Sequence, residues 1–176
     1  MKKTTKGKMP KGLVYTVQSA VIGALYAALT LLLAPISFGA VQFRVSEALT
    51  VLPIFTPVAV PGLFIGCMIS NAVGLALGTN IAGPLDIVLG SAATLIAAIL
   101  TLLLRRFCIK GVPFLSLLPP VLLNALVIGF ELSFLIPDGV SYLFSFLTVG
   151  LGELVVVIVL GIPLILLLRK YKLFDR

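Results

Sequence analysis

The sequence predicts an all-α integral membrane protein with six transmembrane helices. Hydrophobic residues make up 60% of the chain and charged residues only 11%, and the mean hydropathy of +1.24 lies far above that of soluble domains. A membrane helix needs about 20 apolar residues, so 176 residues accommodate about six spans. We expect one membrane domain over 13–168, flanked by basic cytoplasmic tails at 1–12 and 169–176.

The predicted first span follows a basic segment. Residues 1–12 carry five lysines, and an apolar stretch extends from residue 13 to about residue 36. The apolar region of a signal peptide has about 7 to 15 residues and ends at a cleavage site, and this stretch is longer. We therefore interpret it as a membrane-spanning helix.

The predicted second and third spans share one uncharged stretch over 48–84, which is too long for a single helix. Prolines divide it, at Pro53, Pro57 and Pro61. The sequence thus predicts a short, proline-kinked second span over about 44–58 and a third over about 61–78.

The remaining chain predicts three more spans. The fourth covers 85–104 and ends at a basic loop, and the fifth covers about 119–136 and opens with a proline pair. The turn sequence Pro-Asp-Gly at 137–139 separates it from a sixth span over 140–168.

The charges orient these spans. Twelve of the thirteen Lys and Arg residues lie in the two tails and in the loop over 105–110, which six spans place on one side. By the positive-inside rule that side is cytoplasmic, and so are both termini. Arg44 is the sole cation on the outer side, whereas Asp175 is the sole cytoplasmic acid.

The composition also disfavours several function classes. Histidine is absent, which removes the usual zinc sites and the Ser-His-Asp and Cys-His nucleophile systems, so we expect no catalytic residue, metal or cofactor. The net charge of +7 reflects orientation in a lipid bilayer, and no nucleic-acid partner is expected. Cys67 and Cys108 form no CxxC pair and are interpreted as free thiols. The chain also lacks a P-loop for ATP.

Carboxylates at bilayer depth are the candidate ligand-binding residues. Each costs at least about 2.5 to 3.5 kcal/mol and needs a partner, a proton or a wet cavity. Asn124 and Glu131 share a face of the fifth span, and Tyr142, Phe146 and Glu153 share a face of the sixth. Carboxylates near aromatic rings suit a flat, nitrogen-rich molecule. Alternatively, both glutamates hydrogen-bond across helices or are protonated.

Four more charged residues fall on the outer side, of which Asp138 is interpreted as a structural turn residue. Asp86 could bind a ligand or serve only as a helix N-terminal acid. Arg44 and Glu47 can pair at a spacing of three residues, which contributes only about a few tenths of a kcal/mol when exposed. With several acids and one arginine outside, a cation or a donor-rich heterocycle fits better than an anion.

Small residues recur at helical spacing in two spans, and such faces let helices approach closely. In the third span they indicate internal packing: Gly62, Gly66, Ser70, Gly74 and Gly78. In the first span they indicate either packing or a docking face for another membrane protein: Ser19, Gly23 and Ala27 beside Ala20, Ala24 and Ala28.

Four segments resemble a known family. They are FRVSEALTVLP at 43–53, LDIVLGSAATLIAA at 85–98, NALVIGFEL at 124–132 and GELVVVIVLGIPL at 152–164. The chain resembles the QueT family of queuosine-precursor transporters over most of its length. Members look like substrate-binding S components of energy-coupling factor (ECF) transporters in bacterial cell membranes. The resemblance implies a transmembrane T component and two cytoplasmic ATPases as partners.

The resemblance also implies roles for particular residues. In similar S components an alanine-xxx-alanine pattern on the first helix faces the T component, and Ala20, Ala24 and Ala28 match it. The implied ligand is a 7-deazaguanine such as 7-aminomethyl-7-deazaguanine, or the queuine base. A guanine edge presents adjacent N–H donors that one carboxylate can accept, and an ammonium group would suit a second acid.

We therefore expect an outward-facing pocket formed by the fourth, fifth and sixth helices. Glu131 and Glu153 would bind the base, Tyr142 or Phe146 would stack on it, and Arg44 with Glu47 would hold the entrance segment. The alternatives are an S component for another vitamin or heterocycle, or a stand-alone carrier that uses the two glutamates as proton sites. An intramembrane enzyme or assembly factor is disfavoured by the missing histidine.

Overall fold

The computed structural model describes residues 10–39, 41–108, 112–135 and 141–171. Within these residues, five helical segments are long and apolar enough to cross a membrane, and the protein is an α-helical membrane protein. In chain order the elements are α1 (Lys11–Leu32), α2 (Ala34–Ser37), a 3-10 helix (Val45–Ile54), α3 (Ala59–Ala76), α4 (Leu85–Leu104), α5 (Phe114–Leu135), α6 (Tyr142–Val156), a π turn (Val157–Gly161) and α7 (Ile162–Lys170).

The predicted second span is the 3-10 helix, which we call the central 3-10 helix. At about 2.0 Å per residue, its ten residues extend about 20 Å, against about 30 Å for the hydrocarbon core. Residues 46–54 are all buried, and the helix contacts α1, α3, α4, α5, α6 and α7. It is therefore an interior element surrounded by the longer helices. The six-span topology, the proline kink and the cytoplasmic termini stay predictions.

Glycines bring α1 and α3 into close contact. A Cβ added at Gly66 would lie 2.6 Å from the Gly23 carbonyl oxygen, and one at Gly62 would lie 2.6 Å from that of Ser19. Gly74 packs in the same way against the ring of Phe38. These contacts confirm the packing interpretation for Gly62, Gly66 and Gly74, whereas Gly78 lies beyond α3 and has no atom within 4 Å of an added Cβ.

The fifth span begins earlier than its prolines predicted. Helix α5 starts at Phe114, so Pro119 and Pro120 lie inside it. Because Pro120 has no N–H group, the carbonyl of Ser116 loses its donor within the helix. The hydroxyl of Thr101 on α4 donates to that carbonyl at 2.9 Å. This contact from a neighbouring helix explains why the prolines do not end α5.

The predicted sixth span is one continuous helical segment from Tyr142 to Lys170. Its π turn ends two residues before Pro163, which cannot donate to the carbonyl of Val159. A Cβ at Gly161 would lie 3.0 Å from a Val51 side-chain atom, so the π turn packs on the central 3-10 helix.

Some predictions fall beyond the described residues. The turn at 137–139 lies outside them, as do most of the tail at 1–12 and part of the tail at 169–176. Among the described basic residues, Arg105 and Arg106 follow the end of α4, and Arg169 and Lys170 lie in the last turn of α7. Cations at helix C-termini are favoured by the helix dipole.

Candidate functional site

A group of charged and amide side chains meets inside the bundle, and we call it the buried acid cluster. Its members are Arg44, Glu47, Asp86, Asn124, Glu131 and Glu153. Each of them is at most 2% exposed. Glu47 lies on the central 3-10 helix, and Arg44 lies directly before that helix. The other members lie on α4, α5 and α6. The structure thus brings together most of the residues that the sequence predicted to bind a ligand.

Direct contacts and electrostatic interactions connect the cluster. The Nη2 atom of Arg44 lies 3.6 Å from Oδ2 of Asp86, and Glu131 interacts electrostatically with both residues. The Nδ2 atom of Asn124 donates to Oε1 of Glu153 at 3.2 Å. Glu153 in turn interacts electrostatically with Arg44. The cluster therefore has one cation within reach of several acids.

The Arg44 guanidinium has partners on several sides. Besides Asp86, it contacts Sγ of Cys67 with Nη1 at 3.7 Å, and its Cζ lies 5.3 Å from the centroid of the Phe38 ring. Stacking on an aromatic face is a cation–π contact. The sequence predicted that Arg44 pairs with Glu47. In the structure it pairs with Asp86 instead. The reason is that Arg44 precedes the central 3-10 helix and does not share a helix face with Glu47.

Asp86 is buried in the first turn of α4, where the helix dipole favours an acid. The Nδ2 atom of Asn80 donates to its Oδ2 at 2.8 Å, and the Nδ2 atom of Asn71 donates to its backbone carbonyl at 2.8 Å. A Cβ at Gly90, one turn later, would collide with the carboxylate. Glycine at that position therefore leaves the space that the Asp86 side chain occupies.

Glu47 connects the central 3-10 helix to α1. The Tyr26 hydroxyl donates to its Oε1 atom, and the side chain of Asn124 is a second neighbour. One turn further along α1, the hydroxyls of Thr30 and Ser46 lie 2.6 Å apart in a hydrogen bond. Two polar contacts thus fix the acid-bearing end of the 3-10 helix against α1.

Helices α5 and α6 place their polar residues inward, as the seven-residue spacing of Asn124 and Glu131 predicted. Both residues are buried, and so is Glu153 on the facing helix. The backbones approach closely at Gly129, where a Cβ would lie 3.0 Å from the Phe146 backbone nitrogen. This close approach of the two backbones accompanies the contact between Asn124 on α5 and Glu153 on α6.

The buried acid cluster has a surplus of acceptors. Among the described residues, five of the eight oxygens on its four carboxylates have no hydrogen-bond partner. They are Glu47 Oε2, Asp86 Oδ1, Glu131 Oε1 and Oε2, and Glu153 Oε2. A buried carboxylate is costly unless it is protonated or meets a donor or a cation. The arrangement therefore suits a ligand that presents several N–H donors or an ammonium group.

The two predicted aromatic residues are placed differently from the acids. Tyr142 is 42% exposed at the start of α6, and Phe146 is half-buried. Their ring centroids are 6.2 Å apart, and the rings are tilted at 48°. The structure therefore does not bury Tyr142 with the cluster, although its spacing puts it on the same side of α6 as Glu153. Phe146, which is half-buried, is therefore better placed than Tyr142 to stack on a ligand inside the bundle.

Sequence reasoning missed several polar residues that support the cluster. Tyr26, Asn71 and Asn80 are buried and hydrogen-bond to its acids. The sequence did contain a signal that could have identified Tyr26, because it lies on the same helix face as Gly23 and Thr30. Polar groups within a span usually face the bundle interior. Cys67 is a buried free thiol and Cys108 an exposed one, as predicted.

The two small-residue stripes of α1 face in different directions. Gly23 and Ala27 are buried against α3, whereas the predicted docking residues Ala20, Ala24 and Ala28 are all exposed. A groove of about 440 Å³ runs along α1 and α3, and its lining includes Ala20, Ala24, Ile65 and Ile69. The second stripe therefore remains accessible for contact with another membrane protein.

Comparison with known proteins gives two matches. A sequence model of the family described as QueT transporter matches residues 16–170. A relative from Lactococcus lactis subsp. cremoris (strain MG1363), named Queuosine precursor transporter QueT, is 37% identical over 87 residues. This match covers 48% of the present chain and 47% of the relative, or about half the length of each. No solved structure matches the chain. Both matches are transporters, which confirms the expectation of a protein that is not an enzyme.

Proposed function

The chain belongs to the QueT transporter family, and we propose that it is the substrate-binding S component of an ECF importer in a bacterial cell membrane. In this proposal it captures a 7-deazaguanine queuosine precursor outside the cell. A transmembrane T component and two cytoplasmic ATPases then drive release of the ligand on the inner side.

The observation that carries the proposal is the set of unpartnered carboxylate oxygens in the buried acid cluster. A guanine-type base presents adjacent N–H donors along one edge, and a carboxylate can accept two of them at once. Glu153 can take this role with its free oxygen and with the second lone pair of the oxygen that Asn124 orients.

A second acid suits a positively charged substituent on the ligand. Both oxygens of Glu131 lack partners among the residues described, and a carboxylate in that state is stabilised by a nearby ammonium. The cluster has four carboxylates and one guanidinium. This balance favours 7-aminomethyl-7-deazaguanine, which carries an ammonium group, over a neutral base.

Phe146 supplies the aromatic surface in this proposal, because it is half-buried beside α5. Base stacking on an aromatic side chain contributes about 1 to 3 kcal/mol per base. Tyr142, which is more exposed, would cover the ligand from the outer side. The name of the lactococcal relative, which refers to a queuosine precursor, supports the same ligand class.

The partner surface in this proposal is the exposed alanine stripe of α1. Small side chains let the backbone of a second helix approach closely, and membrane helices associate through such faces. Ala20, Ala24 and Ala28 are exposed, and two of them line the groove beside α3. We assign this face to the T component, while the basic residues at the ends of α4 and α7 mark the cytoplasmic side.

A second candidate function is a stand-alone proton-coupled carrier. It is favoured by the same unpartnered acids, because buried carboxylates in membrane proteins often transfer protons. Proteoliposomes containing only this chain distinguish the two. A carrier would accumulate labelled 7-aminomethyl-7-deazaguanine when a pH gradient is applied. An S component would accumulate it only when the T component, the ATPases and ATP are added.

A further inference from the structure

The segment before the central 3-10 helix has an alternating pattern of burial. Val41 and Phe43 are 46% and 37% exposed, whereas Gln42 and Arg44 are each 1% exposed. The segment is not helical, and successive side chains of an extended chain point to opposite sides. Gln42 therefore points to the same interior side as Arg44, whose guanidinium reaches the buried acid cluster.

The main chain of Gln42 lies directly against the helix that carries Glu153. A Cβ at Gly152 would collide with the carbonyl oxygen of Gln42, so only glycine permits this approach. The segment is also held by Phe43, whose backbone N–H donates to the Ile36 carbonyl at 2.8 Å. The position of Gln42 beside α6 is thus fixed by backbone contacts on both sides.

The side-chain amide of Gln42 is a donor without an acceptor. Its Nε2 atom is buried and has no hydrogen-bond partner among the described residues. A buried donor without an acceptor is unfavourable, and a ligand acceptor would offset that cost. The carboxylates of the cluster match the donors of a base, but a guanine-type base also has a ring carbonyl that needs a donor.

We propose that Gln42 is a further ligand-binding residue, whose amide N–H group donates to the ring carbonyl of the bound base. It would make the site selective for bases that combine this carbonyl with adjacent N–H donors. An analogue with an amino group in place of the carbonyl oxygen would set two donors against each other, and it would also lack the neighbouring ring N–H that a carboxylate accepts. This inference rests on the proposed function, because it assumes a base in the buried acid cluster.

The test is isothermal titration of the purified full chain with two ligands. They are 7-aminomethyl-7-deazaguanine and its analogue in which an amino group replaces the ring carbonyl oxygen. The wild type should prefer the carbonyl ligand by at least about tenfold. Gln42→Met should weaken binding of that ligand by about tenfold and lower the preference by the same factor, leaving only the part of the preference that the missing ring N–H causes. Gln42→Glu, which can accept from the amino group, should shift the preference towards the analogue.

Val41→Met is the matched control, since it places the same side chain one residue away on the exposed side. It should bind both ligands like the wild type. The inference is overturned if Gln42→Met keeps the wild-type affinity and preference, or if Val41→Met lowers the affinity equally. If the wild type binds neither ligand, the proposed function itself fails, and this inference fails with it.

Discussion

Arg44 and Asp86 form a buried ion pair between the segment that enters the central 3-10 helix and the first turn of α4, with 3.6 Å between Nη2 and Oδ2. Both side chains are almost completely buried. A buried pair of this kind contributes little net stability relative to apolar residues, but the loss of one partner leaves an uncompensated charge. The pair therefore fixes the 3-10 helix in position, and its removal is a sensitive probe of the site.

The first prediction concerns this pair. Arg44→Met should lower the free energy of unfolding by about 3 to 5 kcal/mol, because the acids of the cluster lose their cation. Asp86→Asn in the same chain should recover part of the loss, because it removes one of the unpaired charges. Thermal unfolding of the single and double variants in detergent measures this coupling. Additive effects of the two substitutions would show that the pair does not act as a unit.

The second prediction concerns the acids of α5 and α6. Glu153→Gln and Glu131→Gln keep the side-chain size but remove the charge and replace an acceptor with a donor. Each should weaken binding of 7-aminomethyl-7-deazaguanine by at least about tenfold, or 1.4 kcal/mol. Neither should lower the unfolding temperature, because removing a buried charge removes a desolvation cost, and a glutamine oxygen at position 153 can still accept from Asn124. Ser133→Ala, near the C-terminal end of α5, is the control and should bind normally.

Wild-type affinity in both glutamine variants would contradict the assignment of these acids to the ligand. A lower unfolding temperature with unchanged affinity would instead assign them a structural role between the helices.

The third prediction concerns the contact between α1 and α3. Gly66→Ala should destabilise the protein by about 1 to 3 kcal/mol, because the added Cβ would lie 2.6 Å from the Gly23 carbonyl oxygen. Gly12→Ala is the matched control, since no atom lies within 4 Å of a Cβ at that position. Thermal unfolding of both variants tests this. Equal stability of the two would mean that α1 and α3 are less closely packed than described.

The fourth prediction concerns the exposed alanine stripe of α1. Ala24→Leu should leave folding and ligand binding unchanged, because its side chain is exposed, but should abolish co-purification with the T component and the ATPases. Leu103→Phe, which enlarges an exposed side chain on α4, is the control and should co-purify normally. Retention of the partners by Ala24→Leu would assign the docking surface to another face.

Local patterns in the sequence predicted the long elements and much of the site. The spacing of Asn124 and Glu131 identified the inward face of α5, because a helical period determines which residues share a side. The same reasoning put Ala20, Ala24 and Ala28 on one stripe of α1, but their exposure required the structure. The helical membrane fold followed from apolar stretches that no soluble domain would carry.

Other features depend on contacts between residues far apart in sequence. Asp86 as the partner of Arg44 could not be read from spacing, because it lies on another helix. The start of α5 at Phe114 depends on Thr101, which satisfies the carbonyl that Pro120 leaves without a donor. The apolar composition of the central 3-10 helix predicted a second span, and only its surroundings show that the longer helices bury it on all sides.

We propose that the buried acid cluster binds a 7-deazaguanine through its carboxylates. Isothermal titration of the purified chain with 7-aminomethyl-7-deazaguanine, beside the Glu153→Gln variant, is the decisive experiment. We expect saturable one-site binding by the wild type and binding at least about tenfold weaker in the variant. Absence of wild-type binding to this ligand and to the queuine base would contradict it.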